Sequence, residues 1–327
     1  MYDLIYNFLA WIQSLVGSWG VALIIFTILI RAALTPLDMK SRASMRRTQK
    51  LQPQLQALQK KYANDKEKLN AKTAELYKKE HINPLSSCLP LLLTWPILII
   101  IFGAMRMAAN EQLLIQVGDI LAGKEPVLEP FLWIKNLWMP DNVFSCAYPV
   151  ESTLRSITDT NQWLTFFNKL DPAVVSKLNL TADSFNSNNL AATIQTIENA
   201  MRAIKPFEFG NTNYTVNLLI AQWTIPNVYN GLLILPILSG VSQIVMTKIT
   251  TAGQPQQAAN GQPNTGKFMQ WFFPIFSVVI CLGYSAIFAL YWVTGNLVSM
   301  GQTVIINKML DKKEQMAAPV AGEGTVK

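Results

Sequence analysis

Charged and chemically reactive side chains are scarce in this chain. Only 14% of its 327 residues are charged, and 50% are hydrophobic. A soluble domain of this size would carry about a quarter charged residues. Three cysteines cannot form a disulfide framework, and a single histidine, His81, argues against a metal site. The composition therefore points away from a disulfide scaffold and from a metalloenzyme.

The long apolar runs predict an all-α integral membrane protein. Runs near 20 residues recur, which is the length that an α-helix needs to cross a bilayer. Interior prolines, Pro96 and Pro236 among them, are expected to bend the helices. We predict a bundle of five transmembrane helices, at 17–36, 84–108, 228–248, 268–282 and 286–307.

The polar segments predict what lies between these spans. Residues 1–16 suit an interfacial helix. A helical hairpin is predicted at 37–83, because leucines recur there at helical spacing within a strongly charged stretch. The remaining predicted segments are an extracytoplasmic region at 109–227 with an inserted module at 145–225, a flexible loop at 249–267 and a short tail at 308–327.

The distribution of charge predicts the orientation. Segment 37–83 holds 12 Lys/Arg and 5 Asp/Glu, whereas segment 109–226 holds 7 Lys/Arg and 11 Asp/Glu. Cytoplasmic loops accumulate Lys and Arg. We therefore expect a multi-pass membrane protein with its N-terminus outside and its C-terminus in the cytoplasm. A basic segment could also bind nucleic acid, but membrane topology accounts for it, so no DNA partner is expected.

Motifs for catalysis or cofactor binding are weak. Gly261 to Lys267 has the spacing of a phosphate-binding loop, but Phe268 stands where a Ser or Thr should bind magnesium. The predicted spans contain no Asp or Glu, which disfavours a proton-coupled transporter. We therefore expect no cofactor, no metal and no enzymatic activity.

Arg31 stands inside the otherwise apolar run 17–34. A charged side chain within a span costs about 2.5–3.5 kcal/mol on insertion scales, so it often marks a water-filled cavity or a functional site. Alternatively, Arg31 lies near the end of its helix and extends its guanidinium to the membrane surface. This segment alone leaves both interpretations open.

Six groups of residues form a pattern along the chain. They are Thr27 to Arg31 with Thr35 to Leu37; Leu51 to Pro53 with Lys61 and Tyr62; Asn83 to Leu85 with Trp95 and Pro96; Phe131 to Ile134 with Pro140 and Asp141; Leu235 to Gly240; and Leu290 to Trp292 with Gly295 to Leu297. In this order they resemble the YidC-type membrane protein insertases of bacteria and their mitochondrial and chloroplast relatives.

This resemblance implies a location in the bacterial plasma membrane and a five-helix bundle around a hydrophilic groove, open to the cytoplasm and to lipid. The groove would contain Arg31, Thr27, Gln243 and Ser277. Substrate helices would slide into the bilayer along Trp95, Leu98, Tyr291 and Trp292. The implied partners are nascent membrane proteins and the lipid bilayer, and the resemblance allows the Sec translocon and the ribosome as further partners.

Two other classes of function stay open. One is a small-solute channel or transporter with Arg31 as an anion site. The other is an envelope assembly scaffold, for which segment 145–225 would be the contact region. Because that segment is rich in Asn, Ser and Thr, we predict a loosely packed appendage. The predicted groove residues all lie outside it, so we expect that insertion does not require it.

Overall fold

The computed structural model describes residues 2–80, 89–205, 214–218, 221–226, 228–251 and 265–317. Several predictions fall outside these ranges in whole or in part. They concern His81, the start of the predicted second span, most of the loop 249–267 with its Gly261 to Lys267 motif, and the end of the tail 308–327. The side chain of Trp95 also lies outside the described part.

Helices make up most of the described chain. Their bounds are α1 Tyr2–Val16, α2 Trp19–Lys50, α3 Gln52–Lys61, α4 Lys66–Lys79, α5 Leu89–Leu121, α6 Glu151–Arg155, α7 Thr160–Lys169, α8 Pro172–Lys177, α9 Leu190–Ile204, α10 Ile234–Thr251, α11 Thr265–Gly283 and α12 Ala286–Ala317. A 3₁₀ turn, Ala182–Phe185, precedes α9.

A short β-hairpin adds to the predicted all-α fold. Strand β1, Tyr214–Leu218, pairs antiparallel with β2, Ala221–Ile225, so that Tyr214 stands opposite Ile225. β-Branched and aromatic residues favour strands, and the two strands are rich in both. The hairpin lies within segment 145–225, in a chain for which no strand was predicted.

Three helices run ten or more residues beyond the spans predicted for them. The predicted spans end at 36, 108 and 307, whereas α2 continues to Lys50, α5 to Leu121 and α12 to Ala317. At 1.5 Å per residue, the 32 residues of α2 extend roughly 48 Å, compared with about 30 Å for the hydrocarbon core of a bilayer. Each of these helices is therefore long enough to carry side chains from an apolar environment into a polar one.

Apolar length marks two helices as candidate membrane spans among the described residues. They are α2 and the part of α5 from Pro96 to Leu121. Shorter apolar helices cover Ile234–Thr250 and Gln270–Gly283. These findings are consistent with a membrane bundle.

The prediction that Pro236 bends the middle of a span is wrong. Pro236 lies in the first turn of α10, where its missing N–H would have no helical partner in any case. In the part of the chain that the structure describes, prolines lie inside helices at Pro36 in α2, Pro96 in α5 and Pro274 in α11.

The chain divides into two compact units. The first comprises Met1–Phe26, Ile99–Val241 and Ile275–Val293, and the second comprises Thr27–Leu98, Ser242–Pro274 and Thr294–Lys327. Five long helices therefore contribute to both units, because α2, α5, α10, α11 and α12 each pass from one to the other.

The first unit contains a dense hydrophobic core. The largest side chain in it, Trp163, is fully buried, stacks on Phe185 at a centroid distance of 5.9 Å and donates from Nε1 to the carbonyl of Ile157 at 2.8 Å. Helices α6 to α9 supply most of this core. The end of α5 supplies Leu114, Val117, Ile120 and Leu121.

This core corrects the prediction of a loosely packed appendage. The polar composition of 145–225 conceals amphipathic helices, in which a few large apolar residues recur at helical spacing. In α9, for example, Ile194, Ile197 and Met201 are all fully buried or nearly so. Segment 145–225 and the last two turns of α5 therefore form one structure.

A buried carboxylate fixes the start of α10. Asp141 is completely buried, and its oxygens accept from the backbone N–H groups of Leu232 at 2.8 Å and Leu235 at 2.7 Å, and from Nε1 of Trp133 at 3.1 Å. A Cβ atom at Gly231 would collide with this carboxylate, so glycine is required there. A carboxylate at a helix N-terminus also interacts favourably with the helix dipole.

In the second unit, α2 and α12 pack side by side and run in the same direction. Going from N- to C-terminus along α2, Thr35 bonds to Gln302, Arg42 to Thr303 and Arg46 to Asp311. The residue numbers on α12 rise as those of their partners on α2 rise, and this order requires the two helices to be parallel. These contacts place the polar face of α2 against α12.

Candidate functional site

Arg31 lies half-buried on the face of α2 that packs against α12. Its Nη2 atom is 3.3 Å, and its Nε atom 3.9 Å, from the position that a Cβ atom would occupy on Gly295. The guanidinium therefore passes over the backbone of α12 at a point where no side chain intervenes. Neighbouring residues of α2, such as Ile28 and Leu29, are exposed and apolar.

A side-chain amide holds the backbone around Arg31. Nε2 of Gln302 donates to the carbonyl of Arg31 and to Oγ1 of Thr35, both at 2.8 Å. Oγ1 of Thr35 also donates to the same carbonyl at 3.0 Å. Oε1 of Gln302 is buried and, within the described part of the chain, has no hydrogen-bond partner. This oxygen is an available acceptor close to Arg31 along α12.

A second polar contact connects α12 to α10. Nδ2 of Asn296 donates to Oγ of Ser242 at 3.0 Å and to Oε1 of Gln243 at 3.2 Å. Because Asn296 follows Gly295 directly, consecutive residues of α12 contact Gln243 and Arg31. The structure thus places two of the four predicted groove residues around one point of α12.

The other two predicted groove residues are buried. Thr27 is 1% exposed and lies one turn before Arg31 on α2, in the second unit. Ser277 is fully buried in α11, in the first unit. Their participation in a groove with Arg31 stays a prediction.

The predicted slide residues are spread over two helices and both units. Leu98 is half-buried on α5 in the second unit. On α12, in the first unit, Tyr291 is buried and Trp292 packs on Phe288 at a ring distance of 5.8 Å. Nε1 of Trp292 is buried without a hydrogen-bond partner among the described residues. Their role as a slide stays a prediction.

Sequence reasoning did not select Thr35, Gly295, Asn296 or Gln302 for the site. A signal for them exists. Gly295 and Gln302 are seven residues apart, which places them on one face of α12. Arg31, Thr35, Arg42 and Arg46 recur at spacings of four and seven along α2, so they also share a face. Matching polar faces on two apolar helices predict that these helices pack together.

A second arginine, Arg106, also falls within a predicted span, at the end of 84–108. The structure places it on the exposed surface of α5, where Nη2 donates to the carbonyl of Ser156. Both residues belong to the first unit. Arg106 therefore has a structural contact that explains its position, whereas Arg31 lies beside a bare helix backbone.

Carboxylates anchor the N-terminal helices in the first unit. Oη of Tyr6 donates to Oε2 of Glu111 at 2.8 Å, and burial together with this bond raises the pKa of Tyr6 to about 12. Oε1 of Glu129 accepts from the backbone N–H of Trp19 at 3.0 Å, at the start of α2. Burial raises the pKa of Glu129, and the Trp19 bond partly opposes that shift.

Metal binding has no support in the part of the chain that the structure describes. No three His, Cys, Asp or Glu side chains cluster there in a way that could hold a metal ion. The polar groups around Arg31 are amides, hydroxyls and a guanidinium. They can hydrate a cavity and attract an anion, but they include no nucleophile paired with a base.

Comparison with known proteins gives matches over nearly the whole chain. A family model described as "60Kd inner membrane protein" matches residues 11–314. A protein of Anaeromyxobacter sp. (strain K), named "Membrane protein insertase YidC", is 27% identical over 314 residues. That match covers 96% of this chain but 36% of the relative, so the chain spans about a third of the length of that relative.

Shorter relatives match one part of the chain more closely. Proteins with the same name from Fusobacterium nucleatum subsp. nucleatum and from Clostridium tetani are 40% identical over 139 residues and 41% identical over 128 residues. These matches cover 41% and 39% of this chain, and 60% and 51% of the respective relatives. Together with the apolar helices, these bacterial relatives indicate a bacterial membrane protein. Since the family model spans residues 11–314, the resemblance seen in the sequence is confirmed, and the chain belongs to the 60Kd inner membrane protein family, which includes the YidC-type insertases.

Proposed function

We propose that this chain is a membrane protein insertase that acts through a polar site around Arg31. Family membership supports the activity, because the relatives it matches are named for it. The observation that carries the site is the half-buried guanidinium of Arg31, which lies over Gly295 and near the contact between Asn296 and Gln243. The rest of this proposal follows from the physics of that arrangement.

A polar site inside the membrane lowers the cost of moving a hydrophilic tail across lipid. Each polar group that enters hydrocarbon without a hydrogen bond costs several kcal/mol. Amides and hydroxyls near Arg31 can hold water there, and water shortens the dry path. The fixed positive charge attracts an acidic tail. This attraction is stronger in a medium of low dielectric constant than in water. The tail therefore enters a groove lined by Arg31, Thr27, Gln243 and Ser277.

The substrate helix then leaves the groove for the bilayer. In our proposal its apolar side chains slide past Trp95, Leu98, Tyr291 and Trp292. Burial of apolar surface in lipid provides the driving force, together with the membrane potential acting on charged tails. This transfer makes and breaks no covalent bond, so the protein is not an enzyme in the usual sense and needs no cofactor. Its substrates are nascent membrane proteins.

The proposed topology has five spans with the N-terminus outside and the C-terminus in the cytoplasm. Parallel packing of α2 and α12 supports it, because an odd number of spans gives the first and last the same direction. Exposed apolar side chains on each of the five long helices support a lipid-facing surface. Examples, one on each helix, are Leu29, Ile99, Ile237, Trp271 and Ile305.

Reconstitution with Arg31 variants tests the proposal. Purified protein in liposomes is given a single-span substrate with an acidic tail, and insertion is scored by protease protection. Arg31→Ala should abolish insertion, whereas Arg31→Lys should retain much of it, because attraction requires a charge rather than a planar fork. Arg47→Ala, which removes an exposed arginine from the same helix, is the matched control.

The same liposomes separate insertion from the other functions. The wild-type protein would be a channel or transporter if it conducted small anions but inserted no substrate, and if Arg31→Ala blocked the anion flux. Neither insertion nor flux would favour an assembly scaffold. Full insertion by Arg31→Ala for every substrate tested would contradict the groove mechanism while leaving family membership intact.

A further inference from the structure

A small cleft opens in the second unit between the C-terminal parts of α2, α10 and α12. Its volume is about 390 Å³, which is in the range of pockets that hold small ligands. The polar residues that line it are Arg42, Arg46, Gln49, Lys50, Thr250 and Asn307.

Among the residues that the structure describes, the lining carries three positive charges and no carboxylate. Arg42, Arg46 and Lys50 are four residues apart on α2, so their side chains project from one side of the helix. Gln49 and Asn307 add side-chain amides that can donate hydrogen bonds, whereas the hydroxyl of Thr250 already donates to the carbonyl of Met246 at 2.8 Å. A cleft with this lining suits an anion that accepts several hydrogen bonds.

Contacts to α12 hold the two guanidinium groups in place. Nη2 of Arg42 donates to Oγ1 of Thr303 at 2.7 Å, and Thr303 is fully buried. Arg46 pairs with Asp311 at 2.6 Å and donates to the carbonyl of Asn307 at 3.1 Å. A guanidinium has five N–H donors, so these contacts leave donors on both groups for a ligand. Fixing a donor in advance reduces the entropy lost on binding.

Nearby acids only partly offset this charge. Asp311 lies outside the cleft lining, and its side chain is 57% exposed. Asp38, one turn before Arg42, interacts with it electrostatically but does not line the cleft either. Thr303, the hydrogen-bond partner of Arg42, is neutral. The cleft therefore keeps an excess of positive charge.

We propose that this cleft binds a phosphate group. Two arginines presenting N–H forks match the oxygens of phosphate, and a lysine adds a further donor. The phosphate can come from the headgroup of an anionic phospholipid such as phosphatidylglycerol, or from free phosphate in solution. Basic pockets between membrane helices on the cytoplasmic side suit lipid headgroups. The assignment to a lipid headgroup rests on the membrane orientation proposed above. Phosphate binding itself depends neither on that orientation nor on insertion activity.

Lipid retention by the full-length protein tests this site. The purified protein is exchanged into a detergent mixture containing equal amounts of phosphatidylglycerol and phosphatidylcholine, and bound lipids are counted by native mass spectrometry. The wild type should retain phosphatidylglycerol preferentially. Arg46→Gln combined with Lys50→Gln should lower that preference about tenfold, the effect expected from the loss of one or more charged hydrogen bonds.

Two further variants make the test specific to the cleft. Lys40→Gln combined with Arg47→Gln removes two exposed charges from the same helix outside the lining, and should keep the preference. Thr250→Trp fills the cleft without removing a charge and should lose the preference. If the Arg46 and Lys50 variant fails to fold, the Thr250→Trp variant tests the phosphate site in its place.

Titration with inorganic phosphate distinguishes the sources. Retention of phosphatidylglycerol that phosphate cannot displace assigns the site to the lipid headgroup. Saturable binding of inorganic phosphate that displaces the lipid, and that Thr250→Trp abolishes, assigns it to free phosphate. Equal loss of preference in the Lys40 and Arg47 variant, or no selectivity for either probe in the wild type, would overturn the proposal.

Discussion

The guanidinium of Arg31 and the backbone of Gly295 are so close that a methyl group on Gly295 would stand 3.3 Å from Nη2. Few Cβ atoms in proteins have a neighbour that near, so the absence of a side chain at 295 sets the path of Arg31. The position of the charge on Arg31 therefore depends on the glycine at 295. The proposed function depends on where this charge is held.

Adding a side chain at Gly295 should impair insertion. Gly295→Ala should shift the guanidinium by a few tenths of an ångström, and Gly295→Leu should displace it. We expect a small loss for alanine and roughly a tenfold loss for leucine, equivalent to about 1.4 kcal/mol of lost attraction. The measurement is the rate of insertion of an acidic-tailed substrate into liposomes.

Gly301→Ala is the matched control for this experiment. Gly301 lies on the same helix, and no atom stands within 4 Å of the position of its Cβ. Both alanine variants gain about 1 kcal/mol of helix propensity, so propensity cancels in the comparison. Equal activity of the Gly295→Leu and Gly301→Ala variants would show that the position of Arg31 is unimportant.

Removal of the Asp141 carboxylate should destabilise the first unit. Asp141→Ala leaves the N–H groups of Leu232 and Leu235 without their acceptor and loses the bond from Trp133. Hydrogen bonds to charged groups contribute about 1.5–3 kcal/mol each, so we expect a loss of at least about 3 kcal/mol. Thermal unfolding in detergent, followed by circular dichroism, measures it.

Asp159→Ala provides a graded comparison for Asp141. Asp159 caps α7 with a single bond to the N–H of Asn161 at 2.9 Å, and it is exposed. Loss of such a cap costs about 1 kcal/mol. If the two alanine variants unfold at the same temperature, the buried carboxylate contributes no more than a surface cap.

The core of segment 145–225 should be required for folding of the first unit. Trp163→Ala should cost about 3–5 kcal/mol, because it removes a completely buried ring. Replacing 149–205 by a short Gly/Ser linker should expose Leu114 and Val117 of α5 and promote aggregation. Val127→Ala, at a side chain that is 80% exposed, is the control. A linker variant that stays monodisperse and resists protease would contradict this expectation.

Alkylation of Cys146 should be slow and should depend steeply on pH. Burial raises the pKa of this thiol above its ordinary value, and the hydrogen bond from the N–H of Tyr148 to Sγ partly opposes that shift. Iodoacetamide reacts with the thiolate. The rate for the unfolded chain should level off about one pH unit above the ordinary thiol pKa of about 8.5, whereas the rate for the folded protein should keep rising beyond that point. Mass spectrometry of the Cys146 peptide measures both rates.

The same shift affects stability in a defined direction. A folded-state pKa above the unfolded value favours the neutral thiol in the folded protein. The contribution of this group to stability is therefore complete below the unfolded pKa and is lost as pH rises through the folded pKa. Cys146→Ser should remove this part of the alkaline destabilisation. An unchanged dependence of unfolding on pH between 8 and 10 would show that Cys146 plays no part.

Hairpin 37–83 should be accessible only from the cytoplasm. Lys60→Cys and Lys72→Cys place thiols at exposed positions of α3 and α4, in a background that lacks the three native cysteines. An impermeant thiol reagent should label them in inverted membranes and not in intact cells. Ser187→Cys, exposed in the first unit, should show the reverse pattern. Labelling of Lys60→Cys in intact cells would overturn the orientation.

Local pattern in the sequence was sufficient to predict most of the secondary structure. Apolar runs placed helices near α2, α5, α10, α11 and α12, and polar helical periodicity placed α3 and α4 within 37–83. The break between α11 and α12 falls at Tyr284 and Ser285, between the predicted spans 268–282 and 286–307. These features depend on neighbours in the chain and on hydrophobicity, so a sequence displays them directly. The lone charge of Arg31 was visible for the same reason.

Tertiary structure alone decided which distant side chains meet. Asp141 and Leu235 are 94 residues apart, and Gln302 and the carbonyl of Arg31 are 271 apart. No local pattern specifies such pairs, because they form only when helices from different parts of the chain pack together. The same reason explains the error over 145–225. Its composition is polar, but its few large apolar residues pack against the end of α5. That packing depends on the fold of the chain and cannot be read from the segment alone.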